Sequence, residues 1–112
     1  MKKFLKLGFL LIYFLSFSQT KSNYHIGVLV DKETNETVPL LNRLKEEIIG
    51  VVGEDANIIF SEDTILSNNF NQELALQQYN QLSKSNVDII LSIGLINSIV
   101  ISKQNTFNKP TV

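Results

Sequence analysis

The chain contains no cysteine. That absence excludes a disulfide framework, a cysteine nucleophile, a thiolate metal site and a lipidated N-terminal cysteine. Histidine is nearly as scarce, and His25 alone cannot make a histidine cluster for a metal. Glycine numbers five, without phosphate-cradle spacing. No G-x-G-x-x-G follows an apolar run and no G-x-x-x-x-G-K-[ST] occurs, which disfavours dinucleotide and P-loop binding. Tryptophan is absent, no low-complexity tract is present, and there are two prolines, Pro39 and Pro110.

Long apolar runs are also few. Leu7–Phe17 is apolar apart from Gly8 and Ser16. As a helix it would be about 17 Å long, against a hydrocarbon core of roughly 30 Å, too short to span. Lys2, Lys3 and Lys6 precede it, and Ser16 and Ser18 fit the small-x-small cleavage rule. Residues 1–18 therefore read as a secretory signal cut between Ser18 and Gln19. Its removal takes away three lysines and no acid, moving the formal charge from −1 to −4. A mildly acidic mature chain is a poor candidate for binding nucleic acid or an anionic membrane.

What the chain does have is apolar strands alternating with helical patterns. Val87–Ile93 is interrupted only by Asp88 and Ser92, too short for a core helix and not alternating. It reads as an interior strand of a parallel sheet, covered on both faces. Tyr24–Val30 is a similar run ending at Asp31, and Gly27 within it suggests close approach by a neighbouring element. Ala56–Phe60 is a third, shorter strand, followed by a polar loop from Ser61 to about Asn69.

Between these strands lie three helices. Pro39 suits a first helical turn, and Leu41, Leu44, Ile48 and Val51 or Val52 recur at helical spacing up to a C-terminal cap at Gly53. Asn71 has the residue type of an N-cap for a helix carrying Leu74, Ala75, Tyr79 and Leu82. A third helix, with Ile99, Val100 and Ile101, follows Gly94 and fades by Asn105; Thr111-Val112 look like the first residues of another strand. The order β-α-β-α-β-α and the beginning of β means α/β: a parallel sheet with helices on both faces. Residues 19–112 read as a partial lobe, cut at the start of its fourth strand.

Open parallel sheets bind ligands at the carboxyl ends of their strands. Asp31, Ser61 and Gly94 each follow a strand, and Asn97 sits in the helix start beyond Gly94. These four are the candidate ligand-binding residues. Backbone N–H groups near Ile96–Ser98 would favour an anionic or carbonyl-bearing ligand, and Gly94 would allow close backbone approach. Asn97 has two readings, capping its own helix or touching the ligand. Asp31, Glu62 and Asp63 are acids at the same edge, but acids after strands are common and read as solvated loop residues rather than a metal site. His25 begins its strand and lies about 20 Å from the strand's far end. No catalytic residue, cofactor or metal is indicated, and the set suits binding a small polar molecule more than transforming one.

The stretches "YHIGVLVD", "LLNRLKEEIIGVVG", "VDIILSIG", "NSIVISKQ" and "KPTV", behind a signal peptide, resemble the start of ABC-transporter substrate-binding-like proteins of Gram-negative bacteria. The "FSQ" cleavage region and abundant Asn, Lys and Ile look like a Bacteroidetes-type secreted protein. The resemblance implies a type I periplasmic-binding fold, with two α/β lobes and a small molecule bound between them. Residues 24–112 would correspond to the first part of its N-terminal lobe. It also implies a periplasmic location and a membrane transporter or efflux component as partner, and brings no catalytic residue. Two other classes fit the same pattern. One is an interaction or sensory domain fused to an outer-membrane efflux component; the other is an α/β enzyme whose catalytic residues lie beyond Val112.

Overall fold

A computed structural model describes residues 21–112; the signal segment expected over residues 1–18 lies outside them. The elements are β1 (Ser22–Val30), α1 (Thr37–Val52), β2 (Ala56–Ser67), α2 (Gln72–Ser83), β3 (Ile89–Ile93) and α3 (Leu95–Ser102). The strands form one parallel sheet in the order β2-β1-β3. Thr111 bridges Ile90 on the free side of β3, also in parallel, as the sequence leads one to expect of Thr111-Val112. The fold is α/β, as the alternation of apolar runs and helical patterns indicates.

The side chains of β1 separate by parity, as a pleated strand requires. Ile26, Val28 and Val30 pack with Leu41, Leu44 and Ile48 of α1 on one face of the sheet. Leu29 packs on the other face with Tyr79 and Leu82 of α2 and with Val87 and Ile90. Helices therefore cover both faces. Gly27 shows why this strand needs a residue without Cβ. A Cβ there would stand 2.9 Å from a Leu82 methyl and 3.2 Å from Val87 Cγ1, so glycine is what lets α2 settle on β1.

The most deeply buried strand is β1, where Ile26 and Val28–Val30 are all buried. The run Val87–Ile93, expected to be covered on both faces, is covered fully on one and partly on the other. Ile90 is fully buried, whereas Ile89, Leu91 and Ile93 are only partly buried on the α1 side. One helix is about 10 Å wide and strands lie about 4.8 Å apart, so α1 covers two strands and leaves the third partly bare. The result is an apolar trough of about 820 Å³ lined by Tyr24, Ile26, Leu44, Ile48, Ile89 and Leu91.

Two helix ends follow their residue types. The Gly53 N–H donates to Ile49 O at 2.8 Å with φ +65°, and Asn71 Oδ1 accepts from Leu74 N–H at 2.9 Å. The second strand does not follow the sequence reading. It runs on past Phe60 to Ser67, with Phe60 opposite Ile26 and Ile65 opposite Val28. Ser61–Thr64 are accommodated as a bulge, closed by Thr64 Oγ1 donating to Ser61 O at 2.9 Å. Among the described residues, no helix is long and apolar enough to cross a membrane.

Candidate functional site

Three of the four candidate residues meet at the carboxyl edge. Asp31 follows β1, and its carboxylate reaches across to the start of α3. There it accepts the Ile96 N–H at 2.9 Å and the Asn97 N–H at 3.1 Å. A helix start leaves such N–H groups without intrahelical partners, and α3 has no side-chain cap of its own. Asp31 supplies one from another strand, placing a negative charge on the positive end of the helix. The anion seat expected for a ligand near Ile96–Ser98 is thus filled, at Ile96 and Asn97, by the protein's own carboxylate.

Gly94 is shaped by the same contact. Its φ of +116° with ψ 164° belongs to a region open essentially to glycine. A Cβ on Gly94 would collide with all three carboxyl atoms of Asp31. The close approach read from the sequence is real, but what approaches is Asp31.

Asn97 is not the N-cap of α3. It is the third residue of the helix, 1 % exposed, and its side chain turns inward. Its Nδ2 donates to Ile93 O at 3.2 Å, and its Oδ1 accepts from Asn68 Nδ2 at 3.0 Å. Asn68 is fully buried and joins the parts. The same Nδ2 donates to Asp31 Oδ1 at 3.0 Å, while its Oδ1 accepts the Phe70 N–H at 2.8 Å. Its backbone N–H continues the edge by donating to Val30 O at 3.1 Å. Each buried polar group of Asp31, Asn68 and Asn97 therefore has a partner, as burial away from water demands.

Burial by itself pushes the Asp31 carboxyl pKa upward. The Asn68 side chain and the backbone N–H groups of Ile96, Asn97 and Leu95 outweigh that and hold it below the usual carboxylate value. Asp31 is therefore an ionised structural anion, saturated with donors and poorly suited to take up a proton at neutral pH.

Ser61 does not join this group. Its expected place rests on β2 ending at Phe60; because β2 continues to Ser67, Ser61 lies in the bulge opposite Gly27, at mid-strand and next to the amino half of β1. There it lines a shallow depression with His25, Asp63, Thr64 and Lys84. His25 is exposed at that amino half, where its backbone N–H donates to Asp88 Oδ2 at 2.8 Å. Among the described residues, no group of three or more His, Cys, Asp or Glu could hold a metal ion.

Beside the Asp31 network, on the α1 side of the sheet, the carboxyl edge remains open. A cleft of about 460 Å³ lies over the ends of β1 and β3, lined by Val30, Asp31, Thr37, Leu40, Phe70, Ile93 and Gly94. Its position follows from the topology. The chain leaves β1 towards β2 on one side and returns to β3 on the other, so the connections at those strand ends diverge and leave a crevice. Lys32, Thr34 and Glu36 supply a polar rim.

Sequence reasoning missed Asn68 and Phe70. A signal for them exists in Asn68-Asn69-Phe70-Asn71, where residues tolerant of turns surround one large aromatic. No family model, curated protein or solved structure matches the chain.

Proposed function

We propose that the chain belongs to the N-terminal lobe of an exported, periplasmic solute-binding protein serving an ABC-type transport system. The observation that carries the binding part is the cleft of about 460 Å³ at the divergence of β1 and β3. That is where open parallel sheets receive small molecules, and its volume suits one. Its lining mixes apolar side chains with a polar rim, which suits a small polar ligand with an apolar part. Asp31 is engaged in holding the edge together, which favours binding over turnover. Export rests on the basic start, the short apolar run and the small residues at Ser16 and Ser18. The ABC-type association rests on the resemblance of the apolar strands and their flanking residues.

Binding is tested by following backbone amide resonances during titration with a panel of amino acids, amides and sugars. Saturable shifts confined to Lys32, Thr34, Phe70 and Gly94 are the expected result. A panel that leaves those amides unmoved removes the cleft from consideration. N-terminal sequencing of the product secreted in a Gram-negative host should begin at Gln19; a full-length product held in the inner membrane would overturn export.

A further inference from the structure

We propose that the ligand of this cleft carries a planar ring that stacks on Phe70. The inference rests on the cleft being a binding site and specifies what the site selects. Asn69 and Phe70 both have positive φ, at 51° and 60°. Asparagine is at home there, but a bulky aromatic is a genuine outlier. Phe70 is held in that conformation by its own N–H, which donates to Asn68 Oδ1 at 2.8 Å and to Asp31 O at 3.1 Å. Both acceptors belong to buried residues of the edge network, so the fold enforces the unusual backbone.

The consequence is where the ring goes. Phe70 is 62 % exposed and forms a wall of the cleft rather than part of either core. Val30, Leu40 and Ile93 make the remaining apolar lining, and Leu40 is itself 44 % exposed. An aromatic kept out of the core in a strained conformation, facing an apolar-lined crevice, is a ready surface for another flat group. Charge narrows the class further. Asp31 already takes the Ile96 and Asn97 N–H groups, so an anion has no seat at the α3 start, and on the rim Lys32 and Glu36 offset one another. The fitting ligand is neutral, with a ring between Phe70 and the aliphatic wall and a hydrogen-bonding substituent towards Thr34 and Thr37.

A matched pair of probes isolates planarity. Benzamide and cyclohexanecarboxamide share the amide and differ in whether the ring is flat. In amide-resonance titrations of the full chain, benzamide should bind about five-fold more tightly, a factor within the range of aromatic pair energies. Phe70→Leu keeps an apolar exposed side chain; retained amide resonances elsewhere would establish its fold, and it should lose the preference for benzamide. Equal binding of the two probes to the natural chain would overturn the ring inference and leave the cleft intact as a site. An unchanged preference in Phe70→Leu would overturn the role of Phe70. If neither probe moves the cleft amides at millimolar concentration while another solute does, the ring inference fails alone. If no solute moves them, the site reading fails with it.

Discussion

The two faces of the sheet are built from the same strands and finished very differently. On the face covered by α2 and α3, Leu29, Leu82 and Ile90 are almost entirely withdrawn from solvent, and Gly27 admits Leu82 against β1. At the carboxyl edge, Asp31, Asn68 and Asn97 seal the junction with α3. On the α1 face, Leu91 and Ile93 are only partly buried, the apolar trough runs beside them, and the carboxyl edge opens into the cleft. The cause is topological. Right-handed crossovers that run in opposite directions along the sheet, β1 to β2 and then β2 past β1 to β3, must land on opposite faces. The β1-to-β2 connection puts one helix on its face, while the connections into and out of β3 put two on the other. The closed face supplies rigidity, and the open face has the space in which a molecule can bind.

The largest expected effect tests that asymmetry directly. Leu82→Ala removes a side chain only 1 % exposed and should cost about 4 kcal/mol, near the upper part of the range for fully buried leucines. Leu91→Ala removes the same atoms from the rim of the trough, where the side chain is only partly buried, and should cost about 2 kcal/mol. Urea melts of the two variants measure the difference. Equal losses would mean that the two faces are equally packed, and the comparison would break.

The edge network gives the next effect. Gly94→Ala should cost about 3 kcal/mol, combining a backbone region closed to alanine with displacement of the Asp31 carboxylate. The loss should be smaller when measured on an Asp31→Ala background, because the displaced group is then gone. Strict additivity of the two substitutions in thermal or chemical melts would show that Gly94 and Asp31 are not in contact.

Asp31→Asn should cost about 2 kcal/mol at neutral pH, the size of a charge-assisted set of hydrogen bonds replaced by a weaker neutral one. The pH dependence has a definite sign. The folded pKa of Asp31 is depressed below its unfolded value of about 3.9, so its stabilisation is present in full above that value. It is lost as pH falls through the lower folded pKa, because protonation then favours the unfolded chain. The gap between the natural chain and Asp31→Asn should therefore be flat from pH 6 to pH 8 and close in acid. A gap that widened on acidification would refute the capping role of Asp31.

Particular residues show what the sequence could disclose. The helix ends at Gly53 and Asn71 are local chemistry, decided within one turn, and they sit where their residue types indicate. Gly27 signals a close neighbour because a glycine inside an apolar strand has few other uses. The continuation of β2 is not local in this sense. Ser61–Thr64 are polar and break the period of two, so Ile65–Ser67 look detached from the strand they complete. Asn68, Asn97 and Asp31 belong to residue types that serve equally as caps, turns and solvated loop groups. Only their burial, set by contacts 29 to 66 residues apart, converts them into one network.

The smallest effect belongs to the open face and has the opposite sign. Phe70 is 62 % exposed, so its removal forfeits little buried surface. Its φ of 60° is penalised for a side chain with Cβ and is free of that penalty for glycine. Phe70→Gly should therefore stabilise the fold by about 1 kcal/mol, the ordinary gain when a left-handed position receives glycine. Phe70→Ala separates the backbone from the ring: it keeps the strained φ, loses the aromatic group and should lie within about 0.5 kcal/mol of the natural chain. Denaturant melts of the pair read both terms. A loss of more than about 1 kcal/mol in Phe70→Ala would show the ring to be packed, in conflict with its exposure. A gain confined to glycine would identify Phe70 as a residue kept at some expense of stability, on the face that is left open.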